Sequence, residues 1–243
     1  MRNNQLKKQV VLVTGGSRGI GREIVKRFIK SGSKVYFTYR SSNYKKLNIS
    51  KNKNLIPIKC DMSNINQINK IKKILKREKK LDILVNNVGD VIKRTPFLNS
   101  NDKLWQDVIN INLMSAIRTT KIASKLLMKS KKSVIINISS IASRTGGGGD
   151  SLHYSVTKAA MNMFTKGLSK ELKKIRVVGV APSVTNTDFM KKHTSRQRLK
   201  RIISETPMGR IASPEEIAEF VFFISSSKSS FLSGETVFMT GGR

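Results

Sequence analysis

Val10-Val11-Leu12-Val13-Thr14-Gly15-Gly16-Ser17-Arg18-Gly19-Ile20-Gly21 is the stretch that decides the fold. Residues 10–13 are a short, wholly apolar run, which reads as a strand buried on both faces of a parallel sheet. A glycine-rich turn follows at once, and then helical periodicity begins, with Ile20, Ile24, Val25, Phe28 and Ile29 on one face. Strand, glycine turn and helix in this order are what a dinucleotide-binding reading requires. Glycines let the backbone approach a pyrophosphate, and the N-terminus of the helix attracts its negative charge.

Working outward, further strands are expected at about 34–38, 55–58, 83–85, 134–138, 176–181 and 236–239, with helices between them. Strands and helices that alternate with short connections give an α/β fold, a parallel doubly wound sheet with helices on both faces. Residues 41–54 are polar and predict only a short second helix. Residues 139–150 read as a loop next to chemistry, with four consecutive glycines, Gly146 to Gly149. Residues 185–207 form a long polar segment that carries His193, Arg196 and Arg198, and loops of such length are often functional.

The 243 residues suit one domain, 1–243, with a full core. The single cysteine, Cys60, forms no intrachain disulfide and suits a reducing compartment. Residues 1–9 are polar and basic, the apolar run after them is too short for a signal peptide, and no stretch is long enough to span a membrane. A cytoplasmic location is expected. Two histidines and one cysteine do not make a usual zinc site, so no metal is expected. The net charge is +32. Most of it falls on helix faces turned to solvent, as in Lys121, Lys125 and Lys129 or Lys166, Lys170 and Lys174. Acidic partners are compatible with such a surface; no recognised nucleic-acid-binding module accompanies it.

The second informative run is Tyr154-Ser155-Val156-Thr157-Lys158, which leads into a helix. Positions i and i+4 share a helix face, so a phenol and an ammonium stand side by side. A neighbouring ammonium favours the phenolate, which is expected to draw the Tyr154 pKa down toward neutrality and make it a general acid/base.

The Thr-Gly-x-x-x-Gly-x-Gly spacing and Tyr154/Lys158 together resemble the short-chain dehydrogenase/reductase family, in particular its 3-oxoacyl-acyl-carrier-protein reductases. Further motifs lie in order along the chain: Asn86-Asn87-Val88-Gly89, Asn110-Ile111-Asn112-Leu113, Ile138-Ser139-Ser140, Ala181-Pro182-Ser183 through Thr187, Met208-Gly209-Arg210 with Pro214-Glu215-Glu216-Ile217-Ala218, Phe231 to Gly234, and Thr240-Gly241-Gly242. The resemblance implies a single Rossmann-type domain of about seven strands, a mobile substrate lid at about 185–207, and a homo-oligomer, the tetramer of the family. It implies four catalytic residues. Tyr154 exchanges the proton, Lys158 tunes Tyr154 and holds the nicotinamide ribose, Ser140 bonds the substrate oxygen, and Asn112 supports a water relay to Lys158. Ser139 is the alternative serine. It also implies that the cofactor is bound by Thr14, Gly15, Ser17, Arg18, Gly19, Ile20 and Gly21 at the turn, Arg40 and Ser41 after the second strand, Asp61 and Met62 after the third, Asn86, Asn87 and Gly89 after the fourth, Tyr154 and Lys158, and Pro182, Val184 and Thr187.

NAD enzymes place an acid at the end of the second strand, on the ribose 2′-hydroxyl. Here Tyr39 and Arg40 stand there and Arg18 lies in the turn, which favours a 2′-phosphate and hence NADP(H) over NAD(H). Two departures from the family pattern are Ser183, where glycine is usual, and Val178, where asparagine is common. The expected activity is hydride transfer between NADP(H) and a carbonyl or alcohol, with a 3-oxoacyl thioester on an acidic acyl carrier protein as leading substrate. A dehydrogenase of sugars, polyols or other small alcohols shares every motif. A protein that senses NADP or touches nucleic acid without turnover is the reading from another class.

Overall fold

The computed structural model describes residues 9–41 and 52–243. The expected short helix within 41–54 lies largely outside the described residues. The elements in chain order are β1 (Val10–Val13), α1 (Gly19–Lys30), β2 (Lys34–Tyr39), β3 (Leu55–Lys59), α2 (Ile65–Leu75), β4 (Ile83–Asn86), α3 (Asp102–Ile109), α4 (Ser115–Leu127), β5 (Val134–Ile138), α5 (Ala142–Thr145), α6 (Leu152–Glu171), β6 (Arg176–Pro182), α7 (Asp188–His193), α8 (Arg196–Ser204), α9 (Pro214–Ile224) and β7 (Thr236–Met239). The strands form one parallel seven-stranded sheet in the order β3-β2-β1-β4-β5-β6-β7.

β1 lies in the middle, with Val11 between Val35 of β2 and Ile83 of β4. Its alternating side chains feed two cores. Val11 and Val13 pack with Ile24, Val25 and Phe28 of α1 and Ile217 and Val221 of α9. Val10 and Leu12 pack on the other face with Ile68 and Ile71 of α2 and Ala123 and Leu127 of α4. Helix ends follow their local chemistry. Asn64 caps α2 by accepting from the amides of Asn66 and Gln67, and Ser213, Pro214 and Glu216 make a complete capping box for α9. Arg27 of α1 stacks on Phe222 of α9 at 3.5 Å, an apolar seam with one cation laid across it.

Four strands run one residue further than their sequence pattern. Tyr39 pairs with Lys59, Asn86 with Asn137, and Pro182 with Met239. All four extensions are at the C-terminal end of the sheet. Between β4 and β5, α3 and α4 are joined by a π-helical turn at Asn110–Met114. The polar segment 185–207 is not a bare loop; it folds into α7 and α8, capped by Thr187 and Ser195. Both family departures are accommodated. Ser183 avoids the left-handed region that glycine serves, and its amide donates to Met239 at 2.9 Å. Val178 is fully buried beside Ile136 in β5. Among the described residues, no helix is long and apolar enough to cross a membrane.

Candidate active site

Strand order reverses between β1 and β4: the chain winds outward to β3 on one side and to β7 on the other. The loops part there, and a crevice opens at the C-terminal ends of the strands. It holds a cavity of about 590 Å³. The glycine turn forms one wall. A Cβ on Gly21 would stand 2.3 Å from the Gly15 carbonyl oxygen, and one on Gly16 would stand 2.7 Å from both Phe37 and Val25. Only glycine lets the turn press this closely on β2 and α1. Gly15, Ser17, Arg18, Gly19, Ile20 and Gly21 all face the cavity, and the first turn of α1 has no acidic residue to repel an anion. Thr14 does not face it. Thr14 is buried, and its hydroxyl donates to Val85 and accepts from the amide of Asn87 at 2.9 Å. Asn87 returns the bond by donating to the carbonyls of Thr14 and Gly15, so these two residues lock the turn to β4.

At the far end of the wall, Tyr39, Arg40, Ser41, Cys60, Asp61 and Met62 line the cavity. Arg18 and Arg40 are exposed, and neither makes an ion pair among the described residues. Burial pushes the Asp61 carboxyl up, but hydrogen bonds from the Ser63 hydroxyl and amide, with the Arg40 charge, outweigh it and hold the group below its ordinary value. Burial pushes the Cys60 thiol up to about 11, so it stays protonated and inert.

Across the cavity, β5 and α6 supply Ser139, Ser140, Tyr154 and Lys158. Ser139 is buried and donates to the Lys158 carbonyl at 3.0 Å, which occupies its hydroxyl. Ser140 is partly open to the cavity and hydrogen-bonds the Tyr154 side chain. Lys158 is buried, and its ammonium donates to the Ile138 carbonyl at 2.8 Å, 5.6 Å from the Tyr154 ring centroid. The pKa expectation is overturned here. Burial pushes the Tyr154 phenol up to about 12, against the lowering effect of the Ser140 bond, with the Asp90 charge adding to the rise and Arg94 opposing it. Burial pushes Lys158 down to about 8. Helical spacing places the two groups on one face, but both are sunk in the crevice wall, and desolvation is the largest influence on each.

Asn112 is the fourth expected residue. It sits in the π turn, fully buried behind the cavity wall. Its amide donates to Asp90 O at 2.7 Å and Val108 O at 2.9 Å, and its oxygen accepts from Asp90 N at 3.1 Å. The Asn112 oxygen and Lys158 Nζ both press on Gly89, at 2.8 and 3.0 Å from where a Cβ would stand. Asn86 is withdrawn into a buried polar chain, donating to Thr120 and to Asn137.

The remaining wall comes from the segment after β4, the glycine loop and α7–α8. Arg94 donates to Asp150 at 2.7 Å and to the carbonyl of His193. Arg198 bonds the same Asp150 carboxylate at 3.0 Å, lying where a Cβ on Gly148 would be. Despite burial, the two guanidinium bonds hold the Asp150 carboxyl below its ordinary value. Pro182, Val184 and Thr187 line the cavity beneath this segment.

A family model described as enoyl-(acyl carrier protein) reductase, one of the short-chain dehydrogenase/reductase group, matches residues 15–243. The chain is a short-chain dehydrogenase/reductase. It is 34% identical over 242 residues to the 3-oxoacyl-acyl-carrier-protein reductase FabG of Buchnera aphidicola, covering 98% of each chain. The structure of a 3-ketoacyl-(acyl-carrier-protein) reductase from Brucella melitensis complexed with NADH superimposes with a TM-score of 0.90 at 26% identity, covering 98% of this chain and 99% of that one. The aldohexose dehydrogenase of Thermoplasma acidophilum superimposes with a TM-score of 0.86 at 29% identity, covering 98% and 95%.

The enzyme is therefore an oxidoreductase of a carbonyl or hydroxyl group, of a family that uses a nicotinamide cofactor. Of the residues expected at its site, the cavity gathers all except Thr14, Asn86 and Asn112, which brace it from behind. The sequence places Arg94, Asp150 and Phe189 in the pocket walls only as members of the segments 91–97, 143–153 and 185–207, and it leaves Asp90 unassigned. Asp90 had a signal, an acid directly after Asn86-Asn87-Val88-Gly89. The others become neighbours only through the tertiary fold.

Proposed function

We propose that this short-chain dehydrogenase/reductase is an NADPH-dependent 3-oxoacyl-acyl-carrier-protein reductase. The observation that carries the chemistry is the convergence of Ser140, Tyr154 and Lys158 on one cavity wall, opposite a glycine turn shaped for a pyrophosphate. The names of the relatives support the substrate. The nicotinamide supplies the hydride. Ser140 holds the carbonyl oxygen where negative charge develops. Tyr154, kept protonated by burial, gives that oxygen its proton, and the Lys158 ammonium stabilises the phenolate left behind. Asn112 fixes the Gly89–Asp90 backbone beside Lys158.

Arg40 and Arg18, exposed and without ion pairs among the described residues, support NADPH. An acidic carrier protein suits the +32 surface. A homotetramer is supported by an outward apolar row on α6, Leu152, Val156, Ala159 and Met163, at helical spacing, and by exposed Phe231 and Phe223. The row runs on into Lys166 and Lys170, so a paired α6 must carry those charges to its rim.

The deciding experiment follows NADPH oxidation with an acetoacetyl thioester and, in parallel, with aldoses and polyols. The expected result is turnover of the thioester. Turnover of sugars alone would replace the reading with the dehydrogenase one. Light scattering at micromolar protein tests the tetramer; a monomer would refute it.

A further inference from the structure

Along the substrate wall runs a chain of contacts. Asn112 clamps the backbone of Asp90 from one side, through Asp90 N and Asp90 O. The Asp90 carboxylate faces the other way and is shared. Its Oδ1 accepts from the amide of Ile92 at 3.0 Å and from His193 Nε2 at 3.0 Å, and its Oδ2 lies 4.0 Å from Lys192. Ile92 has a φ of +63°, and among the described residues it is the sole non-glycine residue with positive φ. A β-branched residue holds that conformation only where its surroundings over-determine it, and Asp90 supplies one of the fixing bonds. His193 is buried at the end of α7. Its ring packs on Phe189 one turn back, at 4.9 Å, and Phe189 packs on Tyr154 at 6.2 Å. The chain thus runs Asn112, Asp90, His193, Phe189, Tyr154.

We infer that Asp90 and His193 are a positioning pair, whose contact sets α7, and with it Phe189, against Tyr154 to shape the pocket for the substrate carbonyl. The inference rests on the reading of Tyr154 as the proton donor. Three features carry it. Asp90 is fixed on the Asn112 side by both of its backbone polar groups, so it transmits position and does not drift with α7. The bond between His193 and Asp90 joins two segments a hundred residues apart, and its imidazole nitrogen meets a carboxylate, the stronger kind of hydrogen bond. Asp90, Phe189 and Tyr154 all face the cavity. The α7–α8 segment has a second, independent anchor in Arg94, Asp150 and Arg198, so removing one partner of the pair leaves it attached and the protein folded.

The test is a double-mutant cycle, His193→Ala, Asp90→Ala and both, with His193→Gln as the conservative variant, because its amide can still donate to Asp90. Two readouts are taken on the full chain. The first is the rate of tryptic cleavage after Lys191 and Lys192, which reports release of α7 without any substrate. The second is the steady state with NADPH and an acetoacetyl thioester. A bond to a charged group is worth about tenfold or more. Each alanine variant should speed cleavage by about that factor and raise KM similarly, with a smaller change in kcat, since Ser140, Tyr154 and Lys158 are held by β5 and α6. The double variant should be no worse than either single one, and His193→Gln should recover most of the loss. Unchanged cleavage, or losses that simply add, would overturn the inference. Tyr154→Phe assayed alongside separates the two claims. If it stays active, the proton-donor reading fails, while the cleavage cycle still judges the pair.

Discussion

Tyr154 and Lys158 show what spacing tells and what it omits. Four residues of helix put a phenol beside an ammonium, and that was legible in the sequence. The depth of both groups in the crevice wall was not, because it depends on β5 and on the segment after β4 folding over them. Depth reverses the expected sign for Tyr154, which is pushed up to about 12 and stays a phenol at neutral pH. That suits a donor to a nascent alkoxide. Replacing Tyr154 with Phe should lower kcat by roughly 10²–10⁴-fold, the usual worth of a placed proton donor, while a fluorescence titration still shows dinucleotide binding. Near wild-type turnover would remove Tyr154 from the mechanism. Lys158 gives a pH prediction. Burial holds it at about 8, so its ammonium is present below that pH and lost above it. The ammonium is the form that stabilises a phenolate, so kcat/KM for reduction should fall as pH rises through about 8. A profile flat to well above 9 would contradict this role.

At the scale of elements, the strands were legible because a parallel strand buried on both faces is apolar nearly throughout, as Val10–Val13 is entirely and Val134–Ile138 is except for Asn137, whose amide is satisfied by Asn86 and Thr165. The π turn at Asn110–Met114 was not, since no local residue demands it. Nor were α7 and α8, whose caps Thr187 and Ser195 were present but whose interiors are too polar to announce a helix. Two glycines allow a comparison of turn with loop. Neither Gly21 nor Gly148 has a positive φ, so an added methyl group acts through space alone. At Gly21 it would meet the Gly15 carbonyl, which is backbone; at Gly148 it would meet the Arg198 guanidinium, the end of a flexible side chain. Gly21→Ala should therefore destabilise by about 1–3 kcal/mol, as overpacking does. Gly148→Ala should cost less than about 1 kcal/mol, the worth of a partly exposed ion pair that must shift. Urea unfolding of the two variants checks the ranking, and equal losses would show that the turn yields as easily as the loop.

For the molecule as a whole, the dominant physical fact is a net charge of +32 on a fold whose relatives bind phosphate-bearing cofactors. Such a field attracts any polyanion, so cofactor choice has to come from a local contact. Arg40 at the tip of β2 is the candidate, assisted by Arg18, with Tyr39 where an acid would repel a 2′-phosphate. Part of the Arg40 charge is already felt by Asp61, so its gift to a phosphate is less than that of an isolated guanidinium. A charge-assisted hydrogen bond is worth about 1.5–3 kcal/mol net, or very roughly 10- to 100-fold in affinity, and the Asp61 competition argues for the lower end. Arg40→Ala should weaken NADPH by about tenfold and leave NADH nearly unchanged. Raising the salt should weaken NADPH more than NADH, because the extra contact lies at an exposed rim where screening acts over about 8 Å at physiological ionic strength. If the global field were doing the selecting, the loss of one charge in so many would change both cofactors slightly and equally. Titrating both against wild type and Arg40→Ala at two salt concentrations separates a local contact from a global field, and equal small losses would assign the preference to the field.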